Sequence, residues 1–574
     1  MFESVLKKEV LFLARISSNQ GRFAMQPQAD IRRSRFDRSF VYKTTFDEGK
    51  LIPYFVDEVL PGDTFKLSVT EFCRLATPIC PFMDNLHFDT HFFFVPYRLV
   101  WDNFVRMCGE QDNPEDSTDF SIPQVRYDNL SKSTFIGTLV DYFGISSANF
   151  GSDKSGVTEL VSVSALPFRA YWLIWNEWFR DENLQSSVKV SMGDTNSAVD
   201  NMGSGTGNVN YSFPSGVTSY YHCAPRGKRY DYFTSCLPWP QKGPGVELPL
   251  GSTANVSGQN NISLTLPSVY YNGDTGSGYS NLGQMVGKQL SSARQETYSY
   301  IKPAGNLTLN GSMSGLSVDL SSATSITINS LRQAFMLQRY YEVDARGGTR
   351  YTEKLQAHFG VTNPDSRLQR PEYLGGRSSM FNINPVAQTS STNDISPQGN
   401  MAAYGIHGRT YRAFNKSFTE FGVVIGLCSV RADLTYQQGT ERMWFRKDDL
   451  DFYWPEFAHL GEQAVLNQEI YVQGTSADTG VFGYQERYAE YRYKPNKITG
   501  QFRSTYKQTL DVWHLAQKFD SLPKLGDQFI QDHPPVSRVV AVPSYPHFLL
   551  DVKFHLQCVR PLPLFSIPGL MPHF

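Results

Sequence analysis

Between Tyr484 and Lys507 six cations are interleaved with aromatic rings. They are Arg487, Arg492, Lys494, Lys497, Arg503 and Lys507, set among Tyr488, Tyr491, Tyr493, Phe502 and Tyr506. Only Glu486 and Glu490 oppose them. Single-stranded nucleic acid is gripped in this way, by cations on phosphates and aromatic faces under bases. Arginine and tyrosine also favour protein interfaces, so subunit contact is the competing use. A second basic cluster, Arg32, Arg33, Arg35 and Arg38, lies in an extended stretch offset by Asp30 and Asp37, and its charge alone suits phosphate. His87, Asp89 and His91 alternate, so they share one strand face, and imidazole plus carboxylate is a zinc-type ligand set. Nothing nearby would orient the imidazoles. The expectation is a polar strand face opposite Leu86, Phe88, Thr90 and Phe92, with no metal and no cofactor. Asp448, Asp449 and Asp451, and Glu177 with Asp181, read as solvated charge. The chain carries no GxxxxGK[ST] loop, GxSxG elbow, HExxH or EF-hand loop. No residue is therefore assigned to catalysis.

Strands must do most of the positioning. Phe65, Leu67 and Val69 alternate with polar neighbours, as do Leu550, Val552, Phe554, Leu556 and Cys558. That period of two predicts strands with one buried face. Phe421–Val430 is a longer apolar run and predicts a strand buried on both faces. Helices are few: Val100–Gly109, closed by Gly109; Ala170–Arg180, with Trp172, Trp175 and Phe179 at helical spacing; and Leu331–Val343. Prolines at scattered turn positions favour a loop-rich β architecture over alternating βαβ units.

Lys and Arg number 53 against 55 Asp and Glu, so the whole surface is not built to hold nucleic acid, though one basic face is allowed. Aromatics are 14% of the chain and charges only 19%, a bias that suits extensive protein–protein contact. Seven cysteines, with no CxxC pair, fit a reduced chain better than a disulfide framework. No apolar run reaches the ~18 residues of a membrane span. Val10–Ala14 is short and met at once by Arg15, so neither signal nor transit peptide is expected. Ser, Gly, Asn and Thr fill 41 of the 80 positions from 251 to 330, with six charges, which marks a solvent-exposed insertion. Ile262, Leu264, Leu266, Ile326 and Ile328 alternate there with polar partners and predict short strands.

Several unusual words follow one another in fixed order: SRFDRSF from Ser34, YKTTFDEGKLIPYFVDEVLPGDTF from Tyr42, TPICPFMDNL from Thr77 and HFFFVPYRLVWDNF from His91. CLPWPQKG (Cys236–Gly243), DARGGTRYTE (Asp344–Glu353), HFGVTNPDSRLQRPEYLGG (His358–Gly376) and YQERYAEYRYKPNKITGQFRS (Tyr484–Ser504) continue the series. The chain thereby resembles the major capsid protein of microviruses, small single-stranded-DNA bacteriophages, and the gokushovirus group in particular. The resemblance covers most of the chain and thins over the first thirty residues and residues 245–330. It implies an eight-stranded antiparallel jelly-roll sandwich with very long inter-strand loops, a few short helices and a large surface insertion. It implies a T=1 icosahedral capsid of sixty copies around circular single-stranded DNA, assembled in the bacterial host cytoplasm. The implied partners are the chain itself, the genome, a small basic DNA-packaging protein, a pilot protein and a host surface receptor, without membrane insertion.

On that footing residues 1–40 are expected to form an N-terminal arm, and 41–185 the first part of the jelly roll with its loops. Residues 186–330 would be the surface insertion, including a threefold protrusion at 245–330, and 331–574 the remaining strands and a C-terminal arm. Tyr270, Tyr271 and Tyr279 are the host-attachment candidates, since tyrosine combines broad apolar area with a polar end. The DNA-contact candidates are Arg32, Arg33, Arg35, Arg38, Arg487, Arg492, Lys494, Lys497 and Arg503. A carbohydrate-active β-sandwich, either a glycan-binding module or a glycosidase, is the alternative for an aromatic, loop-rich β chain.

Overall fold

The computed structural model describes residues 32–126, 135–145, 162–200, 210–246, 328–392 except 349, and 397–565. It also describes the backbone of short ladders between residues 255 and 319. The chain is mainly β, with several antiparallel sheets and few helices. It divides into two compact units, Gln241–Arg346 and the remainder.

In the larger unit the strands are β1 (Ser34–Asp37), β2 (Phe40–Phe46), β3 (Ile52–Val59), β4 (Thr64–Leu75) and β5 (Leu86–Pro96). After a long connection come β6 (Glu372–Met380), β7 (Asn382–Ala387), β8 (Met401–Ser417) and β9 (Gly422–Ala432). A hairpin, β10 (Glu462–Leu466) and β11 (Val481–Glu486), precedes the last long strand, β12 (Phe548–Arg560). One sheet runs β2–β12–β4–β8–β7, with β1 extending β2 along the same edge of β12. The other runs β3–β9–β5–β6.

The two sheets face each other across an aromatic core. Phe55 packs on Phe554 with ring centroids 5.1 Å apart, and Phe92 on Phe414 at 5.7 Å. The alternating residues of β4 and β12 point Phe65, Leu67, Val69, Val552, Phe554 and Leu556 into this core. Strand β9 is buried on both faces, as its unbroken apolar run requires. One carboxylate sits inside the layer: Glu71 of β4 accepts the hydroxyl of Tyr411 at 2.8 Å. Tyr411 in turn meets Thr90 of the opposite sheet at 2.7 Å. A polar group this deep is tolerated because its partners come with the register.

Helix α1 (Leu166–Ile174) starts with Pro167 in its first turn and widens into a π turn over Trp175–Phe179, four residues before the expected start at Ala170. Its side chains tie loops down. Trp172 donates to Tyr220 O at 2.8 Å, Trp178 to Pro371 O at 3.0 Å, and Tyr171 to Leu51 O at 2.8 Å. Arg169, fully buried, donates to Ser197 O, Val100 O, Gly193 O and Thr195 O at 2.8 to 3.1 Å. Near Val100 the expected helix is a single turn, Phe104–Met107.

Residues 186–200 and 210–240 belong to the larger unit, where Val188, Ala198, Cys223 and Ala224 enter the main core. In the smaller unit Asn255–Gly258 pairs with Leu316–Asp319, Ser263–Leu264 with Leu307–Thr308, and Gln289–Leu290 with Glu296–Thr297. The three antiparallel ladders nest within one another. Leu264 therefore lies in a strand, but Ile328 opens the helix Ile328–Gly347, because two alternating residues are too few to set a period. No helix among the described residues is long and apolar enough to cross a membrane.

Replacing Arg169 by Met keeps much of the side chain's length but removes the donor from the carbonyls of Val100, Gly193 and Ser197, while Thr195 O still accepts from the Ser197 amide at 2.7 Å. Unsatisfied buried groups cost about 1–3 kcal/mol each before relaxation, so R169M should lower stability by about 3 kcal/mol or more. Denaturant melts of the unassembled subunit check this, and a loss below about 1 kcal/mol, the worth of one ordinary hydrogen bond, would contradict it.

Candidate nucleic-acid interface

Strand β11 delivers the Tyr484–Lys507 segment. At its end Tyr488 takes φ 63° and caps the single turn Ala489–Arg492. A bulky residue keeps that conformation only when its surroundings impose it. Here Gln463 Oε1 accepts from the Tyr488 amide at 3.0 Å, and the Tyr488 hydroxyl accepts from the Trp454 amide at 3.3 Å. Tyr488 is buried, whereas Tyr491, Tyr493 and Tyr506 stand about half exposed.

The cations of the segment divide into two groups. Arg487 lies on the Tyr488 ring at 4.9 Å, with its Nε buried. Arg492 pairs with Glu486, and Lys497 with Glu441 at 2.7 Å. Lys494, Arg503 and Lys507 are exposed and make no ion pair among the described residues. Sequence alone could not separate these groups, since Glu441 lies far from Lys497 along the chain.

Facing this segment is one that the sequence reading passed over, Arg442–Lys447. Arg442 donates to Ala464 O at 2.7 Å and lies 3.3 Å from Glu469 Oε1. Arg446 approaches Glu490 at 3.4 Å and the Tyr491 ring at 4.5 Å. Glu469 is buried and also accepts from the Tyr232 hydroxyl and the Leu466 amide, each at 2.9 Å. Burial raises its carboxyl pKa above the ordinary glutamate value, with Arg442 opposing the shift. Trp444, 68% exposed, Tyr491, Tyr493, Lys494, Lys497 and Arg503 wall a cavity of about 350 Å³ here.

Two more cavities adjoin it. One of about 470 Å³ shares Tyr493, Lys494 and Asn496 with the first and adds Arg229, Tyr230 and Arg492. The next, about 490 Å³, shares Arg229 and Tyr230 and adds Arg226, Lys228, Arg377 and Arg431. By their shared residues they make a row, here called the groove, with cations and aromatic rings in each cavity. The basic word Ala224–Tyr232 (APRGKRYDY) was the available signal for its far end. What the sequence did not show was that β5, β6 and β9 meet it there.

The second cluster lies elsewhere. Arg32, Arg33 and Arg35 are exposed beside β1 and lack ion pairs among the described residues, while Arg38 pairs with Asp57 at 2.6 Å. None of the four lines the groove. Tyr270, Tyr271 and Tyr279 fall outside the described residues. On β5, His87 Nε2 is 3.0 Å from Asp433 and Asp89 is paired with Arg431 at 2.5 Å. The side chains of Asp47, Glu48 and His547 bring potential metal-ligand atoms within 4.8 Å of one another. Glu48 lies 2.7 Å from His547 Nδ1 and raises its pKa above the ordinary histidine value.

A family model described as capsid protein (F protein) matches residues 24–570. The chain is 44% identical over 603 aligned positions to capsid protein VP1 of Chlamydia phage 1, covering 96% of this chain and 98% of that one. It is 44% identical over 567 positions to capsid protein VP1 of Bdellovibrio phage phiMH2K, covering 97% and 99%. Capsid protein VP1 of Spiroplasma virus 4 is 36% identical over 587 positions, covering 97% and 99%.

Arg442 holds the groove floor against its own carboxylates. In R442A, Glu469 loses its nearest cation and its pKa should rise further. A carboxyl whose folded pKa exceeds its unfolded value weakens the fold as pH climbs through that interval. The variant should therefore be destabilised at neutral pH, by about 3 kcal/mol for a buried pair broken on one side. The deficit should shrink as the medium is acidified and Glu469 protonates. Melts of wild type and variant across pH 4–8 test this, and a pH-independent deficit would remove Glu469 from the account.

Proposed function

The chain belongs to the phage capsid protein (F protein) family, and we propose that sixty copies close a T=1 icosahedral shell around circular single-stranded DNA. Its role is structural rather than enzymatic, and its place is the virion of a gokushovirus-like microvirus. The two facing sheets are read as one eight-stranded jelly roll. The orders β2–β12–β4–β8 and β3–β9–β5–β6 support that reading, since in each sheet a late strand lies between two early ones. Symmetric neighbours would cover the exposed apolar side chains of Arg442–Leu460. Trp444, Leu450, Phe452, Tyr453, Trp454 and Leu460 all stand at least 45% exposed there, and aromatic residues favour the centres of interfaces.

The observation that carries the DNA reading is the row of adjoining cavities lined by cations and aromatic rings. Cations on phosphate position a strand without reading its bases, as a shell that accepts every sequence in its genome requires. Arg32, Arg33 and Arg35 offer a second, weaker contact by charge alone. A subunit with net charge −2 cannot neutralise a packaged strand by itself. A small basic DNA-packaging protein would supply the remaining charge, with a pilot protein as a further component. The insertion at 245–330, with Tyr270, Tyr271 and Tyr279, is assigned to the host receptor on its composition.

The double variant Lys494→Ala/Arg503→Ala tests the groove, since both cations lack protein partners. Shells should still form and be visible by electron microscopy, but with less encapsidated DNA. For a single-stranded oligonucleotide the slope of log affinity against log salt should fall by about 1.4, roughly 0.7 for each phosphate no longer neutralised. Normal DNA content with an unchanged slope would reassign the segment to subunit contact. A wild-type chain that stays monomeric at every concentration would defeat the shell reading itself.

A further inference from the structure

At the far end of the groove two cations, the buried Lys228 and the half-buried Arg226, make no ion pair among the described residues. Arg226 is held by its backbone, its amide donating to Gly49 O at 2.8 Å and its carbonyl accepting from the Asp532 amide at 2.9 Å. Its guanidinium lies 4.7 Å from the Phe179 ring, with Nε buried and without a partner. Lys228, 8% exposed, holds its ammonium 4.3 Å from the Phe529 ring. Neither these two nor Arg377 makes an ion pair among the described residues. His91 Nε2 on β5 is likewise buried without a partner.

Of the carboxylates nearby, Asp532 is buried behind Lys228 and acts on Lys228 and Arg226 through its charge, with no ion pair formed, and the two in the wall are engaged. Asp89 pairs with Arg431, and Asp181 accepts from the amides of Asn183 and Leu184 at 2.8 and 3.1 Å. Arg229 is answered by Asp433 at 3.4 Å. The wall thus carries five cations, Arg226, Lys228, Arg229, Arg377 and Arg431, against two carboxylates. Burial pushes Arg226 down to about 9 and Lys228 down to about 8, so both remain cationic at neutral pH. Burial and the Arg226 charge push His91 down to about 3, leaving a neutral imidazole that can donate one hydrogen bond. The fully buried Arg169, by contrast, has four carbonyl partners. Cations left unmatched in a cavity of about 490 Å³ mark a place for an anion.

We infer that this cavity, walled by Arg226, Lys228, Arg377 and His91, is a phosphate pocket that takes one phosphoryl group of a bound nucleotide strand. Donors converging from separate strands and loops suit a tetrahedral anion with several oxygens better than a planar carboxylate. Tyr373 and Tyr230, the latter 81% exposed, stand at the rim, where a sugar or base would follow the phosphate. The floor is shaped by a β-bulge between Tyr373 and Gly375, opposite Phe92 and Phe93. At Gly376 a Cβ would come 2.2 Å from Thr90 O and 3.1 Å from His91 Nδ1, so glycine lets β6 lie close over His91. The assignment of the phosphate to a strand rests on the groove reading above. The pocket itself does not.

The test uses the full chain, inorganic phosphate and a short oligothymidylate. In sulfate-free buffer at fixed ionic strength, phosphate should raise the melting temperature relative to chloride, and the oligonucleotide should compete for the site. Lys228→Met should lose the phosphate response. Arg377→Ala, at an exposed position, should weaken the apparent phosphate affinity about tenfold, as expected for one charge-assisted hydrogen bond. K494A/R503A should leave the phosphate response intact while weakening oligonucleotide binding. No phosphate-specific stabilisation, or a Lys228→Met variant that keeps the full phosphate response, would overturn the pocket even if the groove variants behave as expected. Phosphate binding without oligonucleotide competition would assign the pocket to the free ion and overturn its link to the strand.

Discussion

Strand β12 lies between β2 and β4, so the sheet cannot close until residues 548–560 return to residues 40–75. Everything else is arranged around that distant pairing. Two connections, from Pro96 to Glu372 and from Ala432 to Phe548, must leave the sheets and come back without disturbing the register. Pairings so remote in sequence bring loop-closure entropy before contacts reward it, which makes such topologies slow to form. The alternation of β12 answers part of this difficulty. Leu550, Val552, Phe554 and Leu556 fit one face only, and a slip by one residue would turn all of them to solvent.

A frame with connections this long has many backbone groups to satisfy away from its ladders. The chain does so with side chains of α1 rather than with further strands. Arg169, Tyr171, Trp172 and Trp178 each present a donor to the carbonyl of a different loop while their apolar bodies fill the core. The same rule of matched polar groups holds for Glu71 between the sheets. Arg226, Lys228 and His91 differ from Arg169 in that they meet a ring face or nothing where Arg169 meets four carbonyls.

How much of this was legible depended on the range of the interaction. Period-two patterns in Phe65–Thr70 and Leu550–Cys558, and the apolar run before Val430, fixed strands because each reports only its own face. Helix limits were less legible: Pro167 begins α1 earlier than the tryptophan spacing suggested, and Ile328 opens a helix. The Tyr484–Lys507 pattern brought cations and rings to one groove. It could not tell that Lys497 would be taken by Glu441, or that Tyr488 would turn inward in a left-handed conformation. The pocket at Arg226 was not legible at all. Its parts come from β5, from the loop after Ala224 and from β6, which only the pairing of Tyr373–Met380 with His87–Phe93 brings together.

On the proposed reading, the division between spent and unspent cations has a physical use. A groove whose every arginine faced solvent would bind nucleic acid tightly and with steep salt dependence, and would trap the strand where it first landed. Here Arg442 and Arg446 are held by Glu469 and Glu490, and Arg492 by Glu486, so they shape the walls rather than compete for phosphate. The unspent cations, Lys494 and Arg503 at one end and Arg226 with Lys228 at the other, are left to do the holding. Between them the exposed faces of Tyr493 and Tyr230 offer stacking that every base can use. Such an arrangement fixes the path of a strand at two points and leaves its sequence unread. Repeated by symmetry, it would order many short stretches of one genome without requiring any of them to be alike.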